Sequence, residues 1–320
     1  MMKKTILLIV LFFSVSISIF SQNIFHKKTI QMGGTAFEYY IEATDKIIGE
    51  GYIEMAIKEV DKIYNIISSK NYESETNKIN KNAGIKAVKV SKEMIDIINK
   101  TIKVSDFSHG HFDITYKSIN YKNDISDFGD NSFIESSLGF VNYKNIEIDE
   151  KESTVFLKKK GMKIGLGAVD RGSAIEYAKK KLQSIGVKSG FINAGGDITY
   201  WGKHPKNKKW STYISQDIIK IISNYVNVKF DNNSIVTAGS LKNSNIKNGK
   251  SHFKIINPKS GSLVSGVQSV TIFCFDAEIA DALATTVYIL GITDGIKLLE
   301  KIDNVKYLIF DEEGIAFTSK

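Results

Sequence analysis

Apolar residues recur at helical spacing along several stretches of the chain. Between residues 47 and 67 they fall three or four positions apart, which places them on one face of an α-helix. A second helix is predicted from Ser91, a residue that can cap a helix N-terminus, through Val104. A third is predicted over residues 173–185, directly after a glycine-rich segment. These helices are therefore expected to pack one face against a core.

Other stretches alternate between apolar and polar residues, the pattern of a β-strand with one buried face. Residues 28–43 alternate in this way on both sides of Met32-Gly-Gly-Thr35. Further strands are predicted at residues 145–149, 154–158, 189–193, 218–222, 226–230 and 270–275. This mixed order of helices and strands permits an α+β protein in which antiparallel sheets are flanked by helices.

The apolar stretch 277–290 predicts a buried helix that carries oxygen donors. Asp276 can cap its N-terminus, and Gly291 stands where the helix should end. Asp281 and Thr285 are four positions apart, so they share one face and suit a hard cation such as Mg²⁺. Alternatively, the Thr285 hydroxyl bonds back to the carbonyl of Asp281, and Asp281 pairs with a lysine. The spacing alone favours this second interpretation.

The glycine-rich segment 162–176 leads into the third helix and contains Gly165, Gly167, Arg171 and Gly172. Backbone N–H groups at such a turn, together with the helix dipole, can form a cradle for phosphate. The glycine spacing matches neither a dinucleotide-binding fingerprint nor a P-loop. The glycines alone therefore indicate a pyrophosphate site only weakly.

Segment 105–116 is dense in polar and aromatic side chains. It is either an ordinary loop with two exposed histidines, His109 and His111, or the wall of a pocket. In the second case Phe112 can cover a ring and Asp113 can accept hydrogen bonds.

The formal net charge of +8 raises the question of a nucleic-acid partner. All but one of the 43 basic side chains are lysines scattered along the chain, and Arg171 is the single arginine. Because nucleic-acid recognition relies on clustered basic faces and arginine forks, no nucleic-acid partner is expected. The single cysteine, Cys274, excludes an intramolecular disulfide and is expected to be a buried apolar residue.

The first 21 residues have the pattern of a secretory signal peptide. Lys3 and Lys4 precede an apolar stretch at 6–19, and cleavage is expected after Ser21. No cysteine near that position offers a lipid attachment point. The remaining chain, residues 22–320, is expected to form one exported domain, soluble in the periplasm or cell envelope.

Read in order, the motifs of this chain resemble the ApbE family, flavin transferases that take FMN from FAD and attach it to a threonine of an acceptor protein. The resemblance spans roughly residues 30 to 315. Its motifs here are Met32-Gly-Gly-Thr35, Ser74-Glu75 with Asn80, Gly110-His-Phe-Asp-Ile-Thr115, Gly167-Ala-Val-Asp-Arg-Gly172, Asn193-Ala-Gly-Gly-Asp197, Thr237-Ala-Gly239, Ile255-Ile-Asn-Pro-Lys-Ser-Gly261 and Ala280-Asp-Ala-Leu-Ala-Thr285.

This resemblance implies a fold, a metal site and a flavin site. The implied architecture is α+β and related to the T-fold, with antiparallel sheets flanked by helices. Mg²⁺ would be held by Asp281, Thr285 and the main-chain carbonyl of Ala168. The residues implied to line the FAD site are Met32, Lys70, His111, Phe112, Asp113, Gly165, Arg171 and Ile256. The implied partners are FAD and an acceptor flavoprotein with a flavinylated threonine, with peripheral contact to inner-membrane redox proteins.

Several positions depart from the family pattern. Lys254 stands where a histidine is often found, and His252 lies two residues earlier on the same face of a strand, so both are candidate catalytic bases. Asn257 replaces an aspartate, Gly165 stands where an acidic residue is common, and Arg171 replaces a lysine. These departures are expected to affect the rate of FMN transfer more than the binding of FAD. They leave two alternative functions, a periplasmic FAD carrier without transfer activity and an FAD pyrophosphatase that yields FMN and AMP.

Overall fold

The structure is a computed structural model. It describes residues 24–32, 34–119, 137–203, 210, 216–225, 234–239, 246–247, 250–251 and 255–319. The predicted signal segment, the predicted strand 226–230 and the candidate bases His252 and Lys254 lie outside these residues. Within the described ranges, no helix is both long enough and apolar enough to cross a membrane.

Antiparallel pairing organises the strands. In chain order they are β1 (Ile24–Met32), β2 (Thr35–Ala43), β3 (Val88–Lys89), β4 (Ile146–Asp149), β5 (Thr154–Leu157), β6 (Gly190–Ala194), β7 (Asp197–Trp201), β8 (Ser234–Gly239), β9 (Ile246–Lys247), β10 (Lys250–Ser251), β11 (Ser269–Cys274), β12 (Lys306–Phe310) and β13 (Ala316–Thr318). Eight of them form one sheet in the order β1-β2-β6-β7-β8-β11-β12-β13. Strands β3, β5 and β4 form a small second sheet, and β9 pairs with β10.

Helices cover the large sheet. They are α1 (Lys46–Ile67), α2 (Glu75–Lys81), α3 (Lys92–Phe107), α4 (Asp170–Ser184), α5 (Gln216–Tyr225), α6 (Ala277–Leu290) and α7 (Ile292–Leu299), with short 3₁₀ helices η1 (Ile114–Ser118) and η2 (Tyr143–Asn145). Helix α4 contacts both α1 and α6. The predicted α+β architecture, with antiparallel sheets flanked by helices, is therefore confirmed.

Both faces of the large sheet are buried, because successive side chains of a strand point to opposite faces. Ile192 and Ile272 belong to the larger core, which includes residues of α1, α4 and α6. Their neighbours Phe191 and Phe273 belong to a smaller core on the other face, which includes Trp210 and a residue of α5. The sheet is thus the middle layer, and α4 and α6 lie in the layer that carries the larger core.

The strand predicted at residues 218–222 is wrong, because these residues lie within α5. A run of β-branched isoleucines favours a strand by propensity. The same isoleucines also recur at helical spacing, and Ile222 is buried in the smaller core with Ile221 packed beside it. Burial of one helical face therefore outweighs the local propensity.

Helix α6 forms as its sequence predicts. The carboxylate of Asp276 accepts hydrogen bonds from the backbone N–H groups of Glu278 at 2.9 Å and Ile279 at 3.2 Å. Gly291 follows the last helical residue with a φ of 78°, a conformation that glycine adopts without strain. The cap and the stop signal therefore set both ends of the helix that carries Asp281 and Thr285.

Ion pairs join the N-terminus of α6 to α3 and α4, and in each pair the carboxylate is buried. Lys100 of α3 pairs with Glu278 and lies 3.5 Å from Asp276, and Lys180 of α4 lies 3.2 Å from Asp276. Glu278 is 1% exposed. Its burial outweighs the attraction of Lys100 and raises the pKa of Glu278 to about 7.

Glu278 should make the protein less stable as the pH rises. Its pKa is about 7 in the folded protein against an ordinary value of 4.5, so the folded state binds more protons between these values. Stability is therefore lost from about pH 4.5 to 7, and the cost above pH 7 is on the order of 3 kcal/mol. Replacing Glu278 by Gln removes this cost, so the variant should gain stability relative to wild type between pH 5 and pH 8, as measured by urea unfolding.

The matched control is Glu50→Gln, because the Glu50 side chain is 60% exposed. Its Oε1 lies 3.7 Å from the Nζ of Lys46, which is 80% exposed. Because this ion pair is exposed to solvent, its loss should change the unfolding free energy little. A Glu278→Gln variant whose relative stability is the same at pH 5 and pH 8 would contradict the raised pKa.

Candidate active site

A cavity of about 280 Å³ lies where the N-terminus of α4, the side of α6, the end of β8 and η1 meet. Its polar lining residues are Asp113, Tyr116, Arg171, Thr237, Asp281 and Thr285. Its larger apolar lining residues are Phe112, Ile114, Ile255, Ile256, Pro258 and Ile289. This lining suits a ligand that has both a flat apolar ring and an anionic group.

Asp281 lies at the contact between α6 and α4 and is only 6% exposed. Its Oδ2 accepts a hydrogen bond of 3.1 Å from the backbone N–H of Gly172, in the first turn of α4. Val169, which precedes α4, provides no side-chain cap, so Asp281 supplies the acceptor for the Gly172 N–H in the first turn of the helix. This bond fixes the carboxylate, and among the described residues its Oδ1 has no hydrogen-bond partner.

Gly172 permits this arrangement because it has no side chain. A Cβ atom on Gly172 would lie 2.4 Å from the carbonyl oxygen of Ala277 and 2.8 Å from the Cβ of Asp281. Helix α4 begins at Asp170, three residues earlier than predicted, so Gly172 lies inside the helix rather than before it. The glycine therefore serves close packing between two helices.

The predicted phosphate cradle is accordingly smaller than the glycine pattern suggests. The N–H of Gly172 is bonded to Asp281, and the N–H of Gly165 donates to the carbonyl oxygen of Ile114 at 2.8 Å. Gly167 lines the cavity. Two of the three glycine N–H groups are thus used within the protein.

Thr285, one helical turn beyond Asp281, lines the same cavity. Across the described part of the chain its hydroxyl has no hydrogen-bond partner, whereas the hydroxyl of neighbouring Thr286 donates to the carbonyl oxygen of Ala282 at 2.6 Å. Asp281 forms no ion pair with a lysine among these residues. The alternative interpretation, a back-bonded threonine and a lysine-paired aspartate, is therefore not what the structure contains.

Arg171, in the first turn of α4, is held by a buried carboxylate. Its Nε donates to Oδ2 of Asp197, at the start of β7. The Oδ1 of Asp197 accepts a hydrogen bond of 3.1 Å from the backbone N–H of Thr237 in β8. The two terminal nitrogens of Arg171 have no partner among the residues described, so this side of the guanidinium is available to an anion.

The carboxylates of Asp197, Asp281 and Asp170 lie near Arg171. Burial, together with the carboxylates of Asp197 and Asp170, raises the pKa of Asp281 well above its ordinary value, and Arg171 opposes the shift. Burial also raises the pKa of Asp170. A cation bound beside Asp281 would relieve this repulsion.

The predicted Mg²⁺ ligands all line this cavity: the Asp281 carboxylate, the Thr285 hydroxyl and residue Ala168. Over the described ranges, no group of three or more His, Cys, Asp or Glu side chains is arranged to hold a metal ion. The predicted set needs only one carboxylate, because a hydroxyl and a main-chain carbonyl supply the other oxygens. Such hard donors suit Mg²⁺ and leave coordination positions for water and phosphate.

Asp113 is used to build the cavity wall. Its Oδ1 accepts hydrogen bonds from the N–H and hydroxyl of Thr115 at 2.7 and 2.6 Å, and its Oδ2 accepts one from the N–H of Tyr143 at 2.9 Å. Burial nevertheless raises the pKa of Asp113. The carboxylate therefore caps η1 and fixes the loop that presents Phe112, which is 2% exposed.

The structure brings half of the predicted FAD-site residues into the cavity lining: Phe112, Asp113, Arg171 and Ile256. The other four lie outside the lining: Met32, Lys70, His111 and Gly165. Met32 is partly buried at the end of β1, and Lys70 is exposed after α1. Among the described residues the Nδ1 of His111 is buried without a hydrogen-bond partner. The roles of these residues remain predictions, as do those of His252 and Lys254.

Asp197 and Tyr116 are polar residues of the site for which the sequence predicted no role. Asp197 ends the motif Asn193-Ala-Gly-Gly-Asp197, and its position after a tight turn was the only signal. Tyr116 directly follows the motif that ends at Thr115. The contacts of Asp197 with Arg171 and of Tyr116 with Gly165 could not be predicted from the sequence, because the residues of each pair are far apart along the chain.

Comparison with known proteins gives one consistent result. The relatives include FAD:protein FMN transferases of Buchnera aphidicola, 24% identical over 92% of this chain and 89% of the relative, and of Haemophilus influenzae, 20% identical over the same shares. The fold is similar to that of an ApbE protein from Thermotoga maritima, with a TM-score of 0.75, 24% identity and coverage of 92% of this chain and 97% of the other. It is also similar to apo flavinyl transferase ApbE of Pseudomonas stutzeri, with a TM-score of 0.76, 15% identity and coverage of 93% and 96%.

The match to a protein family covers most of the chain. The sequence model of the ApbE family matches residues 32–309, a range that contains every residue lining the cavity. The chain therefore belongs to the ApbE family.

Proposed function

We propose that this protein transfers FMN from FAD to a threonine hydroxyl of an acceptor flavoprotein, with release of AMP. Its relatives are named FAD:protein FMN transferases, and the protein is a transferase of this family. The observation that carries the proposal is the cavity itself. It combines an apolar wall for a ring with three groups that lack hydrogen-bond partners among the described residues: the two terminal nitrogens of Arg171, the Oδ1 of Asp281 and the Thr285 hydroxyl.

Mg²⁺ would be held by Asp281, Thr285 and the carbonyl of Ala168. The fit rests on two oxygens that have no hydrogen-bond partner among the described residues, the Thr285 hydroxyl and the Oδ1 of the buried Asp281 carboxylate, whose Oδ2 is bonded to Gly172. When bound, the ion would neutralise non-bridging phosphate oxygens and stabilise the charge that develops on the leaving group.

Arg171 and the apolar wall would bind and orient the substrate. The guanidinium remains charged, because the neighbouring Asp197 raises the pKa of Arg171, and it can donate two parallel hydrogen bonds to a phosphate. Phe112 and Ile256 would cover a ring and exclude water from the reacting bond. Correct orientation of the diphosphate would make an in-line attack possible.

The proposed reaction is a displacement at phosphorus. The threonine oxygen of the acceptor forms a bond to the FMN phosphorus, the bond from that phosphorus to the bridging oxygen breaks, and AMP leaves with the electron pair. The hydroxyl proton passes to a base, for which His252 and Lys254 are the candidates. If water replaced threonine, the products would be FMN and AMP.

Single substitutions can identify the base. His252→Ala or Lys254→Ala should lower the transfer rate by about 100-fold if the residue removes the proton, with little change in FAD affinity. The measurement is the initial rate of flavin incorporation across a pH series. Unchanged rates in both variants would remove both residues from the mechanism.

The acceptor is proposed to be an exported or inner-membrane redox protein. This proposal follows from the signal-peptide pattern of residues 1–21, which predicts a periplasmic or cell-envelope location after cleavage. Fractionation of cells that express the full chain would test the location. Recovery of the uncleaved protein in the cytoplasm would contradict it.

The decisive experiment is incubation of the mature protein with FAD and Mg²⁺, with and without a threonine-bearing acceptor domain. AMP release and covalent flavin on the acceptor would be followed by mass spectrometry. AMP together with flavinylated acceptor is the expected result. AMP with free FMN alone would favour a pyrophosphatase, and tight FAD binding without AMP would favour a carrier, so either result would overturn transfer.

A further inference from the structure

Tyr116 lies over the turn that leads into α4. It belongs to η1 and lines the same cavity as Arg171, Gly167 and Asp281. A Cβ atom on Gly165 would lie 3.2 Å from the phenol oxygen of Tyr116 and 3.3 Å from its Cζ. The phenol oxygen would be 3.9 Å from a Cβ on Gly167. The hydroxyl is therefore close to the glycine-rich segment that is predicted to bind phosphate.

The Tyr116 hydroxyl has no hydrogen-bond partner within the described parts of the chain. The hydroxyls of Tyr143 and Tyr177 do find acceptors, Asp106 at 2.6 Å and the carbonyl oxygen of Glu93 at 3.4 Å. The Tyr39 hydroxyl is buried without a partner among the described residues, but unlike Tyr116 it does not line this cavity. Burial, together with the nearby Asp170 carboxylate, raises the pKa of Tyr116, so its phenol stays a neutral donor. An unpaired donor beside the charged residues of this cavity, Arg171 and Asp281, is available to an acceptor on a ligand.

The surroundings define the chemistry of that acceptor. Arg171 lines the same cavity, and its terminal guanidinium nitrogens, which have no partner among the described residues, can bind an anion. The neighbouring carboxylate and hydroxyl of Asp281 and Thr285 suit a divalent cation. A diphosphate satisfies all three requirements, because its oxygens accept hydrogen bonds, carry charge and coordinate metal ions.

We infer that Tyr116 is a ligand-binding residue whose hydroxyl donates a hydrogen bond to a diphosphate bound in this cavity. The identification of that diphosphate as part of FAD rests on the proposed function. The hydrogen bond itself requires only a ligand with a diphosphate group.

Gly165 acts through Tyr116. Its backbone does not adopt a left-handed φ, so its conformation does not itself require glycine. Glycine is favoured by two close neighbours, because an added Cβ would lie 3.2 Å from the Cβ of Lys117, 3.2 Å from the phenol oxygen of Tyr116 and 3.3 Å from its Cζ. Gly165 was predicted to line the FAD site, and its contact with Tyr116 gives it an indirect role in positioning the Tyr116 hydroxyl.

Equilibrium binding tests the inference directly. Isothermal titration in Mg²⁺ would compare FAD, ADP and riboflavin on wild type and on Tyr116→Phe. Loss of one hydrogen bond to a charged acceptor should weaken FAD and ADP about tenfold. Riboflavin has no phosphate, so its affinity should not change. The control is Tyr72→Phe, since Tyr72 is 77% exposed and lies outside the cavity lining.

Thermal unfolding of Tyr116→Phe separates binding from folding, and its midpoint should match that of wild type. Gly165→Ala should weaken ADP similarly, and the double variant should be no weaker than Gly165→Ala alone, because the hydroxyl is already displaced. Additive losses would contradict the coupling of the two residues.

The outcomes distinguish this inference from the proposed function. Equal ADP affinity in wild type and Tyr116→Phe, or failure of wild type to bind either diphosphate, would overturn the role of Tyr116. Tyr116-dependent ADP binding without flavinylation of any acceptor tested would uphold that role and overturn the transferase proposal.

Discussion

Replacement of Asp281 by asparagine should abolish metal-dependent transfer while leaving the fold intact. The amide oxygen of Asn can still accept the 3.1 Å hydrogen bond from Gly172, so the contact between α4 and α6 should persist. The cation, however, loses the single side-chain carboxylate in its proposed ligand set. Loss of several kcal/mol of charge stabilisation would lower the rate by about a thousandfold.

The measurements are Mg²⁺ affinity by isothermal titration and AMP release by mass spectrometry. Asp303→Asn is the control, because Asp303 is exposed and lies outside the cavity lining. Full activity and an unchanged Mg²⁺ requirement in Asp281→Asn would exclude Asp281 as a metal ligand.

Thr285 and Thr286 offer a matched pair within one helix. Thr285→Val should weaken Mg²⁺ binding by about tenfold, because it removes an oxygen donor at nearly constant shape. Thr286→Val removes a hydroxyl that is bonded to Ala282 at 2.6 Å, so it should lower stability without a direct effect on the metal. Equal loss of Mg²⁺ affinity in both variants would show that the effect is structural.

Locally determined features of this site could be predicted from the sequence. Helix α6 starts and ends where Asp276 and Gly291 indicate, since a cap and a stop act on the residues beside them. The i, i+4 spacing of Asp281 and Thr285 likewise fixes their common face. The family motifs then placed Arg171 and Phe112 in one site, and the structure brings both to one cavity.

Features that depend on contacts distant in sequence could not be predicted in this way. The hydrogen bond between Gly172 and Asp281 joins residues 109 positions apart. The contact of Tyr116 with Gly165 and the ion pair of Arg171 with Asp197 likewise depend on how separate elements pack together. The strand predicted at 218–222 is wrong for the same reason. The isoleucines fit both a strand and a helix pattern, and burial in the smaller core favours the helix.

Gly172→Ala should destabilise the protein by about 3 kcal/mol, because a methyl group in this tightly packed contact overpacks it. The nearest atoms to the added Cβ are the backbone oxygen of Ala277 at 2.4 Å and the Cβ of Asp281 at 2.8 Å. Backbone atoms cannot rotate away, so α4 and α6 must separate. The urea-unfolding midpoint measures this loss of stability.

The same separation should also weaken Mg²⁺ binding, because Asp281 loses the N–H group that orients its carboxylate. Gly51→Ala is the control, since Gly51 lies within α1 and a Cβ there meets no atom within 4 Å. That variant should gain about 0.5–1 kcal/mol from reduced backbone entropy in the unfolded chain. If Gly172→Ala retained wild-type stability and Mg²⁺ affinity, close approach of α4 to α6 would not be what positions Asp281, and the carboxylate would have to be held by the α6 backbone alone.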